Sequence, residues 1–386
     1  MPETYDVAVV GLGAIGSASA WQLARRGLGV IAFEQYALGH ELGASHDSSR
    51  ILRHSYHTSD YVRLTFEAYR DWADLEAASD EELVTVTGGL DLFPPEAAIS
   101  PAEYIASMVE VGVSFETLSV SDVAAQWPQW NLPEGTVALH QARTAIVPAA
   151  RGTATMQRLA RVDGARLVDQ TPVHSLSPTR AGVDVNAGGR TYSCGAVVVC
   201  ADAWTSRLLA PLGWDLPLTV TQEQVTYFAP EDLDTFAAQR FPVWIWMDDP
   251  SFYGFPTYGE ATIKAAQDCG GPTVLPDQRE SSVDEGMLGR LSAFMSQRLP
   301  ASGRVVRSKR CLYTLTPDRD FVLAPVPGHE RIVVGLGAAH GFKFAPTFGR
   351  RLADLAQGVA PGPELEAFRL DRPGITDPDY VASWLV

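Results

Sequence analysis

The sequence predicts an α/β fold in which a domain wound around a parallel sheet is interrupted by a β-rich second domain. A short apolar strand over residues 6–10 leads through a glycine-rich turn into a helical pattern, and a second apolar strand follows over 30–33. This order of strand, helix and strand is typical of a parallel sheet. Aromatic-rich strands between residues 218 and 263 then break the α/β pattern, which returns in the last third of the chain. We therefore expect the β-rich part to be a domain inserted into the first one.

The glycine-rich turn has the spacing G-x-G-x-x-G at Gly11, Gly13 and Gly16. In this pattern the first glycine permits a tight turn, the second lets the backbone approach a pyrophosphate, and the third lets the helix pack on the strand. Glu34 ends the second strand 23 positions after Gly11, where a carboxylate can accept hydrogen bonds from ribose hydroxyls. The pattern predicts a Rossmann-like, dinucleotide-binding unit. It does not distinguish NAD from FAD, and a glycine-rich turn without a ligand is the alternative.

Composition limits the partners of the chain. It has 386 residues, a formal charge of −16 and no basic run, which argues against a nucleic-acid partner. No apolar stretch reaches the roughly 18 residues of a membrane span, and the N-terminus leads directly into a strand, so we expect a cytoplasmic protein. Cys194, Cys200, Cys269 and Cys311 form no C-x-x-C pair and no metal-binding pattern. We therefore expect no metal site and no disulfide, and each cysteine is by default a buried thiol.

The remaining elements follow from apolar periodicity. The strands predicted in this way are 83–92, 166–168, 196–200 and 331–336, and the helices are 60–80, 148–162 and one through 352–355. The polar segment 39–49 is consistent with a solvated loop or with a loop on the cofactor side. The turn 337–343 joins a strand to a helix. It is consistent with a plain connection or with a helix N-terminus that favours negative charge on a bound ring.

Several short segments together are similar to one known family. They are the glycine turn, Ser49–His54, Tyr253–Pro256, Lys264, Cys311–Thr314 with Thr316–Asp318, and His340–Phe344. On these segments the chain resembles the monomeric sarcosine oxidase and N-methyltryptophan oxidase family, flavin amine oxidases with the glutathione-reductase-like FAD-binding fold. The resemblance implies FAD rather than NAD. It implies an FAD-binding domain over 1–88, 145–217 and 313–386 and a substrate domain over 89–144 and 218–312.

The resemblance also implies roles for individual residues. The cofactor-binding positions are Gly11, Gly13, Gly16, Glu34, Ser49, Val173, Cys311 and Gly341, with a thioether between the flavin and Cys311. The catalytic positions are Lys264, Arg50, His46, Tyr253 and Tyr313, and the substrate-binding positions are Arg53, Lys343, His340 and Asp268. Lys264 matches the lysine at which oxygen is activated in the family, and Arg53 and Lys343 match the pair that binds the substrate carboxylate.

The chemistry of these residues is compatible with the implied roles but does not require them. Arginine offers a planar two-pronged donor to a carboxylate and lysine a second charge. A fixed cation stabilises negative charge as it forms on oxygen. Taken without the resemblance, however, Cys311 is a core thiol, Lys264 is a solvated strand end, and Arg53 and Lys343 are surface cations.

Two positions depart from the family pattern. Asp268 stands where sarcosine-type members have a histidine four residues after the lysine. A carboxylate there would repel an anionic substrate and attract an amine, and a solvated loop residue is the alternative. Asp202 stands where many relatives have glycine, which leaves the geometry of its loop open.

The function that the resemblance implies is FAD-dependent oxidation of a secondary amine or an N-methyl or cyclic amino acid to an imine, with oxygen reduced to hydrogen peroxide. The partners are then a small amine or amino-acid substrate and molecular oxygen. An amine dehydrogenase that uses another electron acceptor is the alternative within enzymes, and Lys264 argues against it. A flavin-binding protein without turnover is the alternative outside enzymes.

Overall fold

The computed structural model describes residues 3–383, so the outermost parts of the domain ranges above, 1–2 and 384–386, lie outside the described residues. Strands and helices alternate at both ends of the described chain, and strands dominate its middle. The strands are β1 (Glu3–Val10), β2 (Val30–Phe33), β3 (Arg50–Leu52), β4 (Thr85–Val86), β5 (Gly89–Phe93), β6 (Glu116–Leu118), β7 (Val137–Gln141), β8 (Ala145–Val147), β9 (Arg166–Val168), β10 (Val173–Pro178), β11 (Val183–Ala187), β12 (Arg190–Val199), β13 (Thr219–Ala229), β14 (Val243–Trp246), β15 (Phe252–Phe255), β16 (Ile263–Gln267), β17 (Arg304–Leu315), β18 (Val322–Val326) and β19 (His329–Leu336).

The helices connect these strands and cover the sheets. They are α1 (Ala14–Ala24), α2 (Ser59–Ser79), α3 (Pro101–Val111), α4 (Val120–Gln126), α5 (Ala149–Val162), α6 (Thr205–Leu209), α7 (Glu285–Arg298), α8 (Ala345–Ala356) and α9 (Pro373–Thr376). A 3₁₀ turn over Gly341–Phe344 leads directly into α8. No helix within residues 3–383 combines the length and the apolar character that crossing a bilayer requires.

The first sheet contains the predicted strand–helix–strand unit, and the α/β class is confirmed. Its order is β10-β11-β12-β1-β2-β9, with β19 beside β12 and β18 beside β19. The pairs of β1 with β2, β1 with β12, β2 with β9 and β12 with β19 are parallel. The four residues of β2 and the last four of β1 are all buried, as expected for a sheet covered on both faces. Helix α1 packs against α5 and α8 on one of these faces.

The second sheet is the β-rich part and has the order β17-β13-β16-β15-β14-β5-β7-β6. Its core is aromatic: Trp244 packs edge-on against Trp130 and stacks with Phe294, which also stacks on Phe252. We propose the two-domain division given above, because the strands of this sheet come from 89–141 and 219–315. Strand β17 spans the proposed boundary at 312/313.

A small third sheet has the order β3-β8-β4. Strand β4 directly precedes β5 of the second sheet, and β8 directly follows β7 of that sheet. The prediction of one continuous strand over 83–92 is wrong in detail. It is divided into β4 and β5, because the backbone turns at Gly88, whose φ of 72° is in the left-handed region that favours glycine. This sheet fixes β3, and β3 carries Arg50 at its first position.

Candidate active site and cofactor cavity

The turn between β1 and α1 needs its glycines for steric reasons. Gly11 has a φ of 91°, and a Cβ on it would lie 2.4 Å from the carbonyl oxygen of Cys200. A Cβ on Gly16 would lie 1.8 Å from the carbonyl oxygen of Gly11. The first residue of α1, Ala14, donates its backbone N–H to Ser45 Oγ at 2.9 Å. The turn therefore brings bare backbone and a helix N-terminus to the edge of the sheet, which suits an anionic phosphate group.

Glu34 is buried at the end of β2 and organises the same edge. Its carboxylate accepts hydrogen bonds from the backbone N–H of Leu12 at 2.9 Å and of Tyr36 at 3.1 Å. Burial raises the pKa of Glu34, but hydrogen bonds from His40 and from these backbone groups more than offset burial and leave the pKa below its usual range. The carboxylate is therefore ionised at neutral pH and remains an acceptor on the cavity wall.

A cavity of about 370 Å³ opens along this edge. Its wall includes eight of the residues predicted from the sequence, namely Gly11, Gly13, Glu34, His46, Arg50, Val173, Tyr313 and Gly341. The other predicted residues do not line it: Gly16, Ser49, Lys264, Tyr253, Arg53, Lys343, His340, Asp268 and Cys311. The cavity wall thus extends from the glycine turn to Tyr313 and Thr314, which lie on β17 of the second sheet.

Buried polar atoms on this wall lack partners within residues 3–383. They are both ring nitrogens of His46. Buried polar groups without partners are uncommon in native proteins, and a bound ligand is one explanation for them. With the bare glycine turn, the ionised Glu34 and the cationic Arg50, these atoms fit a dinucleotide cofactor such as FAD.

Arg50 holds the loop that borders the cavity. Its guanidinium donates to the carbonyl oxygens of Ser49, Ala44 and His46 at 2.8, 2.8 and 3.0 Å. Burial, and then the charge of Arg50, lower the pKa of His46 to about 4. His46 is therefore a neutral imidazole at neutral pH. Segment 39–49 is thus a loop on the cofactor side, which was one of the two alternatives from the sequence.

Lys264 is buried in the second sheet and not solvated. Its ammonium group donates to a carboxylate oxygen of Asp47 at 3.0 Å and to the carbonyl oxygen of Ser49 at 2.9 Å. It also lies 4.5 Å from the centre of the Phe255 ring. Burial lowers the pKa of Lys264, the charge of Asp47 raises it, and the charge of Arg50 lowers it. The resulting pKa is about 8. Lys264 therefore carries a positive charge at neutral pH.

Cys311 lies on β17, two and three positions before the cavity residues Tyr313 and Thr314. It is half-buried, and burial raises the pKa of its thiol to about 12, while Arg50 acts in the opposite direction. The hydroxyl oxygens of Tyr253 and Tyr313 lie 3.4 Å apart beside it. Burial raises the pKa of both tyrosines, so both hydroxyls stay neutral.

A second group of buried charges surrounds Lys343. Its ammonium group donates to the hydroxyl of Tyr56 at 2.8 Å and to the carbonyl oxygen of His340 at 2.9 Å. No carboxylate in the described part of the chain forms an ion pair with it. Burial, followed by the charges of Arg53 and Arg319, holds the pKa of Lys343 well below its usual range. Because its charge is not balanced, this lysine would gain stabilisation from a bound anion.

The two arginines beside Lys343 each have a carboxylate. Arg53 donates to Asp91 at 3.0 Å, and Arg319 donates to Asp268 at 2.8 Å. Asp268 is therefore ion-paired and has a side chain that is only 19% exposed. Its charge is balanced by Arg319. Three cations and two carboxylates leave this group with an excess of one positive charge when Lys343 is protonated.

Sequence reasoning missed several residues that complete the site. Asp47, Tyr56, Asp91, Tyr227 and Arg319 are all buried. Arg319 directly follows the segment Thr316–Asp318, which carries the resemblance, and Asp47 lies inside the loop 39–49. These positions are the sequence signals that point to the two residues. For Tyr227 the sequence gives no signal beyond an aromatic-rich strand.

Comparison with known proteins supports a flavoprotein assignment for this site. The DAO family, described as FAD dependent oxidoreductases, matches residues 6–355. The chain is 32% identical to the monomeric sarcosine oxidase of Streptomyces avermitilis, covering 92% of this chain and 94% of that one. It is 30% identical to the peroxisomal sarcosine oxidase of Homo sapiens, covering 96% of each chain.

A solved structure extends the likeness to three dimensions. NikD, an amino acid oxidase essential for nikkomycin biosynthesis, superposes with a TM-score of 0.86 at 28% identity, covering 95% of this chain and 97% of that one. The resemblance read from the short segments of the sequence is thereby confirmed, and so is the fold class. The chain belongs to the DAO family of FAD dependent oxidoreductases.

Proposed function

We propose that the protein oxidises a secondary amine, or an N-methyl or cyclic amino acid, to an imine, and that oxygen is reduced to hydrogen peroxide. The observation that carries this proposal is Lys343, a buried lysine beside two ion-paired arginines that has no carboxylate partner among the described residues. Such a group suits the carboxylate of an amino acid. The names of the relatives, sarcosine oxidase and N-methyl-L-tryptophan oxidase, are in keeping with a substrate of this class.

In this proposal Lys343 and Arg53 bind the substrate carboxylate. Lys343 supplies a compact charge and Arg53 a planar donor that is already held by Asp91. Asp268 does not oppose this binding, because Arg319 balances its charge. A single excess charge favours a substrate with one carboxylate over an amine without one.

FAD, when bound, would supply the acceptor for the hydride equivalent that leaves the carbon next to the substrate nitrogen. The surrounding residues have to keep that nitrogen neutral, since a protonated amine has no free electron pair. Arg50 and Lys264 do so as cations, because a nearby positive charge disfavours protonation of an amine. No negative charge from the nearby histidines or tyrosines reverses this effect. Burial lowers the pKa of His46 and His340 and raises that of Tyr253 and Tyr313, so all four side chains are neutral.

We propose that Lys264 acts on oxygen. A buried ammonium group stabilises negative charge that develops on oxygen, and it needs no rearrangement to do so. This charge is the reason to favour an oxidase over a dehydrogenase that uses another acceptor.

We further propose that the flavin is attached through Cys311. The thiol lies on β17, two residues before the cavity residue Tyr313. Burial raises its pKa to about 12, while the charges of Arg50 and Lys264 favour the thiolate form, which is the nucleophile.

The experiment that tests the function measures hydrogen peroxide and substrate together. Purified protein is given N-methyl and cyclic amino acids in air, and the peroxide formed is compared with the amine consumed. One peroxide for each amine is expected. Amine consumption without peroxide would contradict the oxidase, and no consumption of any amine in the panel would contradict an enzyme of this class.

A further inference from the structure

Three buried side chains from three segments of the chain form a continuous network beside the cofactor cavity. Lys264 donates to one carboxylate oxygen of Asp47 at 3.0 Å, and the hydroxyl of Tyr227 donates to the other. The side chains of Lys264 and Asp47 are each only 4% exposed. An ion pair this deeply buried persists only when its geometry is good and its remaining hydrogen bonds are made.

The fold fixes both ends of this pair. In the second sheet Lys264 lies directly opposite Tyr227 of β13 and Phe255 of β15, so its position is set from both sides. Asp47 arrives from the loop before β3, and its φ of 83° is in the left-handed region that few residues other than glycine adopt. Aspartate adopts this conformation more readily than most residues other than glycine, and the carboxylate lies 3.0 Å from the ammonium nitrogen of Lys264.

The charged and titratable groups near Lys264 come from several elements. They are Asp47 and Arg50 from the loop and β3, the neutral hydroxyl of Tyr227 from β13, and the neutral thiol of Cys311 from β17. Arg307 lies 3.8 Å over the Tyr227 ring and is paired with Glu260. Burial and Arg50 favour a neutral lysine. Asp47 opposes both, and among residues 3–383 it is the carboxylate that forms an ion pair with Lys264.

We propose that Asp47 is a positioning residue that keeps Lys264 protonated and directs its ammonium group towards the carbonyl oxygen of Ser49. The consequence for catalysis rests on the proposed role of Lys264 toward oxygen. Without the carboxylate, the buried ammonium group would release its proton at a lower pH, and the positive charge needed there would be lost. The reaction with oxygen would then depend on pH within the neutral range.

The test first follows the lysine itself, independently of turnover. The protein is labelled at the lysine side chains, and the NMR signal of Lys264, identified by its loss in Lys264→Met, is followed against pH. In the wild type we expect a titration midpoint near pH 8. In Asp47→Asn we expect a midpoint lower by about 1–3 units, the shift typical of losing an opposite charge at this distance.

Two further variants separate charge from shape. Tyr227→Phe removes a hydroxyl from the same network and leaves the carboxylate, so its Lys264 midpoint should move by less than about 0.5 unit. Asp47→Glu restores a carboxylate, and we expect it to restore most of the wild-type midpoint. An unchanged midpoint in Asp47→Asn would overturn the proposal. If Asp47→Asn does not fold, a wild-type midpoint below about 6 would overturn it, since Asp47 would then not be holding the proton.

The second arm measures the rate of flavin reoxidation by oxygen against pH in the same proteins. We expect the fall in rate to follow the Lys264 midpoint of each variant. If the midpoint shifts in Asp47→Asn while the rate profile does not, the pairing stands and the proposed role of Lys264 toward oxygen fails. The two ideas are thus tested separately.

Discussion

The ammonium nitrogen of Lys343 lies 2.8 Å from the hydroxyl oxygen of Tyr56, and in the described part of the chain this neutral group takes the place of a carboxylate partner. The two arginines nearby are both ion-paired. A lysine in this position costs stability unless an anion binds to it. The proposed substrate site is therefore built around a lysine whose charge, when protonated, is left for a bound anion to balance.

Replacing Lys343 by methionine should weaken substrate binding and stabilise the protein without substrate. We expect the apparent dissociation constant of an amino-acid substrate to rise about 10- to 100-fold, because a hydrogen bond to a charged group contributes about 1.5–3 kcal/mol. Because burial lowers the pKa of Lys343, the charged form is unfavourable in the folded state below its unfolded pKa, and methionine removes that cost. Thermal unfolding at neutral pH should show a higher Tm.

Lys309→Met is the matched control for this change. Unlike Lys343, Lys309 is partly exposed and forms an ion pair with Glu41. Its replacement should alter neither substrate binding nor Tm by more than a small amount. Equal weakening of substrate binding in both variants would show that Lys343 has no special role.

The geometry of the glycine turn and of Glu34 could be predicted from the sequence, because it is local. Gly11, Gly16 and Glu34 lie within one strand–helix–strand unit, and their spacing fixes their geometry. The charged half could not be derived in this way. Asp47 and Lys264 are 217 positions apart, and Asp268 and Arg319 are 51 apart. Those pairs depend on how the two large sheets meet, which no local pattern encodes.

Lys264→Met should separate the two half-reactions. We expect flavin reoxidation by oxygen to slow by about 100-fold or more, the usual effect of removing a preorganised charge. Anaerobic reduction by substrate should slow by less than about 10-fold. Stopped-flow absorbance measures both steps. Equal slowing of the two would mean that Lys264 contributes to binding or folding instead.

Cys311→Ser tests the covalent attachment. Wild-type protein precipitated with acid should keep its yellow colour, and the serine variant should release flavin into the supernatant. Cys269→Ser is the control, since Cys269 lies after the end of β16 and not on β17, which carries the cavity residue Tyr313, and should leave the attachment intact. A colourless wild-type precipitate would rule out the thioether.

Asp202 should make the stability of the flavin-free protein depend on pH. Burial raises the pKa of this carboxyl group to about 6, above its unfolded value of about 3.9. The folded state then binds more protons than the unfolded state between these two values. Its contribution to stability is therefore present below about pH 4 and is lost as the pH rises through 6.

Asp202→Asn removes the titrating group. The variant should lack this loss of stability, so the difference in Tm between the two proteins should grow from pH 4 to pH 7 in favour of the variant. Thermal unfolding of flavin-free protein across this range provides the measurement. Parallel Tm curves for the two proteins would contradict the raised pKa.

Anaerobic reduction of the purified flavoprotein by a matched pair of amines tests the central claim most directly. One member is an N-methyl or cyclic amino acid, and the other is the same amine without its carboxylate. In the wild type we expect the amino acid to reduce the flavin at concentrations about 10- to 100-fold lower than the other amine, and Lys343→Met should remove most of that difference. Equal reduction of the wild type by both amines would contradict a carboxylate site at Lys343.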